Sequence, residues 1–189
     1  MGARRQEQGA SETMKFGWFR FAVVVVALTA GQAAPTLAQP ASPKTVSGLP
    51  LPRFVSLKAD RVNVRGGPTK DHDVTWVYNR AGLPMEVTAE FENWRRIRDW
   101  EGAEGWVYHS LLSGRRTATI ASKAKNKDEL LLLYDRPDPS GTVVAKLQVG
   151  VLGSVKRCNG NWCRITGEGF DGWMQQERLW GVYPNEKLD

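Results

Sequence analysis

Beyond residue 53 the apolar positions alternate along the chain. Val62 and Val64, then Val87, Ala89 and Phe91, stand two apart, the spacing that puts side chains on one face of a strand. No stretch carries a sustained 3.6-residue apolar stripe, and Gly or Pro punctuates the chain roughly every 8 to 12 residues, the rhythm of a small all-β barrel. The pattern predicts strands at residues 61–65, 74–79, 84–91, 94–99 and 104–108. It predicts a second set at 130–134, 142–147, 151–158, 161–166 and 171–174, with room for a single helical turn after Trp106 and after Trp173.

The second set repeats the first. A shift of 68 positions aligns Gly82, Val87, Asn93, Trp94, Arg96 and Ile97 with Gly150, Val155, Asn161, Trp162, Arg164 and Ile165, where chance gives about one identity. Past a one-residue gap, Gly105-Trp106, Leu112 and Gly114 match Gly172-Trp173, Leu179 and Gly181, and upstream Pro68 matches Pro137. Each copy is too small to fold around more than one core, so two small barrels in tandem are expected.

The N-terminal region has a different pattern. Lys15 and Arg20 precede the apolar stretch 21–30, which runs into small residues and ends Thr36-Leu37-Ala38. This is the layout of a secretory signal peptide cleaved after Ala38, with the start at Met1 or Met14. The apolar stretch is shorter than the ~20 residues of a membrane span, so no stable span is expected after cleavage. Residues 39–53 are Pro-rich and read as a tether. The chain carries a formal charge of +6. Removing residues 1–38 leaves 22 basic against 18 acidic residues, and Lys44, Arg53, Lys123 and Lys125, all in connecting segments, hold the surplus. Barrels near neutrality lack the basic stripe that a phosphate backbone requires, which excludes nucleic acid as the main partner.

Val62-Asn63-Val64-Arg65-Gly66-Gly67-Pro68, then Asn93-Trp94-Arg95-Arg96-Ile97, then Glu104-Gly105-Trp106-Val107-Tyr108 resemble the bacterial Src-homology-3 (SH3) domain. The second copy departs from the pattern at its start, with Leu131-Leu132-Leu133-Tyr134-Asp135-Arg136-Pro137, but keeps Trp162 and Gly172-Trp173. The resemblance implies an all-β protein of two tandem five-stranded SH3-like barrels after a cleaved signal peptide. The corresponding organisation is signal peptide 1–38, Pro-rich linker 39–53, barrel 54–118, linker 119–129 and barrel 130–185. It also implies an accessory binding module for cell-wall peptides or protein ligands.

Cys158 and Cys163 bracket Asn159-Gly160-Asn161-Trp162, and Asn-Gly is a strong turn signal between apolar strands. In an exported protein the pair is expected to form a disulfide across that hairpin. A metal site is not expected, because two thiolates need two further ligands and His72 and His109 both lie in the other copy. The 68-residue shift places Glu90 and Arg95 where the cysteines stand, an opposite-charge pair in place of a covalent link.

No catalytic set stands out. His109-Ser110 has no orienting group, Asp71-His72-Asp73 reads as a solvated loop, and the Arg65-Gly66-Gly67-Pro68-Thr69 run lacks the ending of a phosphate-binding loop. No enzyme activity and no cofactor are expected. Seven Trp remain after position 38, more than two barrels of this size can bury. Trp76, Tyr78, Trp100 and Tyr108 have no aromatic counterparts in the second copy, and with Asp71 and Asp73 they form the candidate ligand surface, flanked by Glu101 and Glu104. The expectation is a periplasmic or secreted binding or scaffolding module that recognises peptidoglycan or extended peptides. Its alternative is a docking or dimerisation module for a periplasmic protein, with no affinity for the wall.

Overall fold

The computed structural model describes residues 45–121 and 128–189. The export segment with its cleavage site, the tether up to Lys44 and the joining residues 122–127 lie outside the described residues. Alternation of buried and exposed side chains organises the chain into two sheets. The first sheet contains β1 (Arg53–Leu57), β2 (Val62–Arg65), β3 (Val74–Tyr78), β4 (Pro84–Phe91), β5 (Trp94–Arg98), β6 (Glu104–Tyr108) and β7 (Leu112–Ser113). Its spatial order is β3-β2-β6-β5-β4-β1-β7. The second contains β8 (Thr117–Ile120), β9 (Leu130–Tyr134), β10 (Val143–Gln148), β11 (Leu152–Asn159), β12 (Trp162–Gly167), β13 (Phe170–Gln175) and β14 (Leu179–Trp180). These take the equivalent order β10-β9-β13-β12-β11-β8-β14, and β15 (Lys187–Leu188) adds to β11. Each sheet wraps its own core: Val62, Val64, Met85, Val87, Ile97 and Val107 in the first, and Leu133, Cys163, Ile165, Met174 and Leu179 in the second. A single 3-10 turn comes after β6 (His109–Leu111) and after β13 (Gln176–Arg178).

All ten expected strands are present to within a residue or two, but each barrel also has a leading strand that the alternation does not reveal. The sequence pattern divides residues 117–120 between the first barrel and the linker; they form β8, which pairs with β11 and β14 and is buried at all four positions. Its sequence is Thr-Ala-Thr-Ile, so its burial does not show as hydropathy. The second barrel therefore begins at Thr117, ahead of the expected 130, and runs through β15 beyond the expected 185. The first begins with β1 at Arg53. Ser56 pairs with Pro84 in one barrel and Thr119 with Leu152 in the other, so β1 and β8 are equivalent.

The barrels pack against each other. The Phe54 ring lies 5.2 Å from Trp180, edge-on, and 4.6 Å from Tyr183. The Tyr183 hydroxyl donates to Glu86 (3.0 Å), a buried carboxylate that also accepts from Arg98 Nε (2.9 Å). Trp180 Nε1 donates to the Pro84 carbonyl (3.2 Å), and Thr117 Oγ1 to the Gly82 carbonyl (2.7 Å). Burial, then the Glu86 charge, raises the Tyr183 hydroxyl above its usual range and keeps it a donor. At Gly181, where φ is +120°, a Cβ would overlap the Thr117 carbonyl oxygen, so only glycine lets the two backbones approach.

Candidate functional site

The hairpins that join β4 to β5 and β11 to β12 show how the two copies diverge. Cys158 and Cys163 pair directly across β11 and β12 and are joined by a disulfide. Glu90 and Arg95 occupy the same register across β4 and β5. The Glu90 carboxylate, 1% exposed, meets Arg95 at 3.1 Å and Arg53 at 2.6 Å, and it accepts from the Ser47 N–H (2.8 Å) and hydroxyl (2.7 Å). Burial opposes its charge, but the two Ser47 donors and the two guanidinium groups outweigh it and hold the carboxyl at about 2. The tether thus docks at this hairpin. At the equivalent position of the second barrel, Leu188 of β15 pairs with Cys158.

The candidate aromatics divide between two surfaces. Trp76 and Tyr78 stand opposite Val64 and Val62 on β2 and pack half-buried on the first core, ring centroids 6.3 Å apart. The Tyr78 hydroxyl donates to Asp99 (2.7 Å), at the foot of the turn that carries Trp100. Burial first, and then that bond, raises the Tyr78 hydroxyl above its usual range. Tyr108 alternates with buried Val107 and therefore lies on the outer face of β6, edge-on to Trp94 at 5.5 Å and 5.0 Å from His109. Trp76, Tyr78 and Trp100 are thus brought together, and Tyr108 is not among them. Asp71 and Asp73 are exposed in the loop between β2 and β3, which Arg65 fastens by donating to the His72 carbonyl (2.6 Å). Glu104 is engaged by Arg96. Among the described residues, no three carboxylate, His or Cys side chains converge on a metal position.

The second barrel holds a groove that the sequence pattern does not announce. Trp162 pairs with Gln175 in the register in which Trp94 pairs with Tyr108. A Gln stands where the first barrel has a ring, and the Trp162 indole, 8% exposed like that of Trp94, takes Tyr134 as its edge-on partner at 5.6 Å. Beside it lies a groove of about 640 Å³ between Pro139, Asn161, Trp162 and Gln175 on one side and Pro184 and Asn185 on the other. Glu186 fixes the far wall. Its carboxylate accepts from Arg116 (2.7 and 2.9 Å) and the Tyr183 N–H (2.8 Å), and its carbonyl accepts from Gln176 Nε2 (2.6 Å). Burial opposes the Glu186 charge, but Arg116 and the Tyr183 N–H hold the carboxyl below its usual range. The signal for it in the sequence is the replacement of Tyr108 by Gln175 opposite a retained Trp.

The groove offers an apolar floor of Trp162, Leu179 and Val182 with amide groups on its rim, and Glu177 is the one charge among its described lining residues. Such a surface suits an extended, largely neutral chain, with apolar contact for affinity and amides for orientation. It contains no nucleophile beside a base.

Residues 58–114 and 127–181 both match the bacterial SH3 domain family. The chain belongs to that family. Its two bacterial SH3 domains coincide with the two sheets, and the matched stretches leave out the leading strands β1 and β8. Among solved structures, the chain is similar to NlpC2 from Trichomonas vaginalis at 11% identity and a TM-score of 0.31, over 68% of this chain and 48% of that one. NlpC1 from the same organism gives 12% and 0.30, over 68% and 45%. The chain spans about half the length of these structures. No curated protein matches it. The disulfide is compatible with an extracellular or periplasmic protein, and no helix among the described residues is long and apolar enough to cross a membrane.

Proposed function

We propose that this tandem bacterial SH3 protein is an exported, non-catalytic binding module of the cell envelope, and that the groove of its second barrel takes an extended peptide such as those of the cell wall. The observation that carries this reading is the groove beside Trp162 and Gln175, the latter in the register that Tyr108 holds in the first barrel, with a far wall held by Glu186. Aromatic-floored grooves of this kind receive extended chains, which present backbone amides to the rim and side chains to the floor. The first barrel, with Tyr108 over Trp94, supports the second through the joint at Phe54 and Tyr183.

The test is co-sedimentation with purified peptidoglycan sacculi, wild type against Gln175→Tyr, which places the ring of the first barrel at the groove. Retention of the wild type and at least tenfold weaker retention of the variant are expected. The variant should unfold within a few degrees of the wild type, because position 175 is only half-buried. Equal retention of both proteins would move the site elsewhere, and no retention of either would favour docking to a soluble partner.

A further inference from the structure

Trp100 is 43% exposed at the crest of a rigid turn. The Asp99 carboxylate, only 5% exposed as a residue, accepts from the N–H groups of Glu101 and Ala103 (2.9 Å each) and from Tyr78. Gly102, with φ at +89°, turns the chain back. The matching corner of the second barrel carries Phe170, which folds back over Gly167 and packs on the core. One barrel therefore tucks its corner aromatic away while the other displays it on a preorganised support.

The second barrel has a feature of the opposite shape. Tyr134 stands opposite Trp173 as Arg65 stands opposite Trp106, so Leu132 takes the place of Asn63 on the outer face. Leu130 is 53% exposed and Leu132 38%. The first barrel folds with polar residues there, so the fold does not require these leucines. A pocket of about 230 Å³ opens beside them, lined also by Met174 and by Arg178, which pairs with Glu129 (3.2 Å). At about 230 Å³ this open pocket exceeds the roughly 150 Å³ of a closed cavity that holds a benzene ring, so its volume does not bar an indole. Lys146 stands across from Leu132 on β10, and Glu101 adjoins Trp100, so the charges beside the two surfaces are opposite in sign.

We propose that Trp100 of one molecule seats in the pocket beside Leu130 and Leu132 of a second molecule of the same chain. Donor and acceptor surfaces lie on different barrels, and the proposed contact is head-to-tail and open, leaving one free Trp100 and one free pocket at the ends of each assembly. Successive molecules would then line up several grooves, which multiplies retention on a repeating polymer.

Sedimentation velocity of the purified protein from about 10 µM to 1 mM, the range of weak transient contacts, tests this. The wild type should grow beyond a dimer with concentration. Trp100→Ala and Leu132→Glu should each weaken association roughly thirtyfold, as loss of an anchor residue does. An equimolar mixture of the two variants should form a dimer and nothing larger, because only one intact surface of each kind remains. Both positions are exposed, so both variants should keep the wild-type melting temperature to within a few degrees; if Leu132→Glu does not, Leu130→Glu serves in its place. A wild type that stays monomeric at 1 mM, or a mixture that fails to dimerise, overturns the proposal.

Discussion

Glu90→Gln removes one charge from a carboxylate held by four donors while nearly preserving its shape. The carboxyl is at about 2 in the folded protein against 4.5 in a free side chain. At 1.36 kcal/mol per unit this difference contributes at most about 3 kcal/mol of stability. The sign comes from the direction of the shift: a depressed carboxyl stabilises above 4.5, and the contribution fades as pH falls towards 2. The variant should therefore be less stable by about 2 to 3 kcal/mol at pH 6.5, since Arg53 and Arg95 lose their charged partner in a nearly solvent-free site. For a folded unit of this size that is a fall of roughly 4 to 12 °C in melting temperature. Urea titrations of both proteins at pH 6.5, 4.5, 3 and 2 read the difference directly, and shifts of carboxyls elsewhere cancel in it. The gap should shrink across the acid range and nearly vanish at pH 2. A gap that stays constant from pH 6.5 to pH 2, or one below about 1 kcal/mol at neutral pH, would refute the electrostatic account of this hairpin.

Two further outcomes test the covalent clasp and the packing of residue 181 on β8. Cys158→Ser with Cys163→Ser should cost about 2 kcal/mol, the value for closing so short a loop, and the wild type unfolded without reductant should show no titratable thiol. Gly181→Ala should cost about 2 to 4 kcal/mol in a thermal melt, because its Cβ would overlap the Thr117 carbonyl at a φ that alanine disfavours; a neutral result would mean that the packing of residue 181 on β8 is loose.

What the sequence reveals depends on whether a position's role is local. Alternation at Val62 and Val64 marks a strand because burial on one face of a sheet is a local pattern, whereas in β4 the expected alternation of Val87, Ala89 and Phe91 fails because a bulge after Val87 shifts the faces and leaves Phe91 48% exposed. Cys158 and Cys163 are legible because a two-strand hairpin brings near neighbours in sequence together. β1 and β8 escape for two physical reasons. Thr117 and Thr119 are buried by contacts on both faces, and the connection from β8 to β9 is five residues longer than that from β1 to β2, so a constant shift does not align the leading strands. The aromatics illustrate the same limit. Trp76 and Tyr78 lie near Trp100 because Tyr78 reaches Asp99 across the sheet, whereas Tyr108 is separated from them by the parity of β6 relative to Val107. The groove joins residues far apart in sequence, Pro139, Trp162 and Pro184 among them, so the change from Tyr108 to Gln175 acquires meaning only once the fold sets these side by side.

Docking of Ser47 on Glu90 bears on how much of the stretch before β1 is free chain. If the whole Pro-rich stretch to Arg53 were a leash, the six residues from Ser47 to Pro52 would add roughly 20 Å of reach. Held at the hairpin of the first barrel, they add almost none. The stretch 47–52 is thus part of the first barrel's surface, and breaking the Glu90 contact would free it as well as soften the fold.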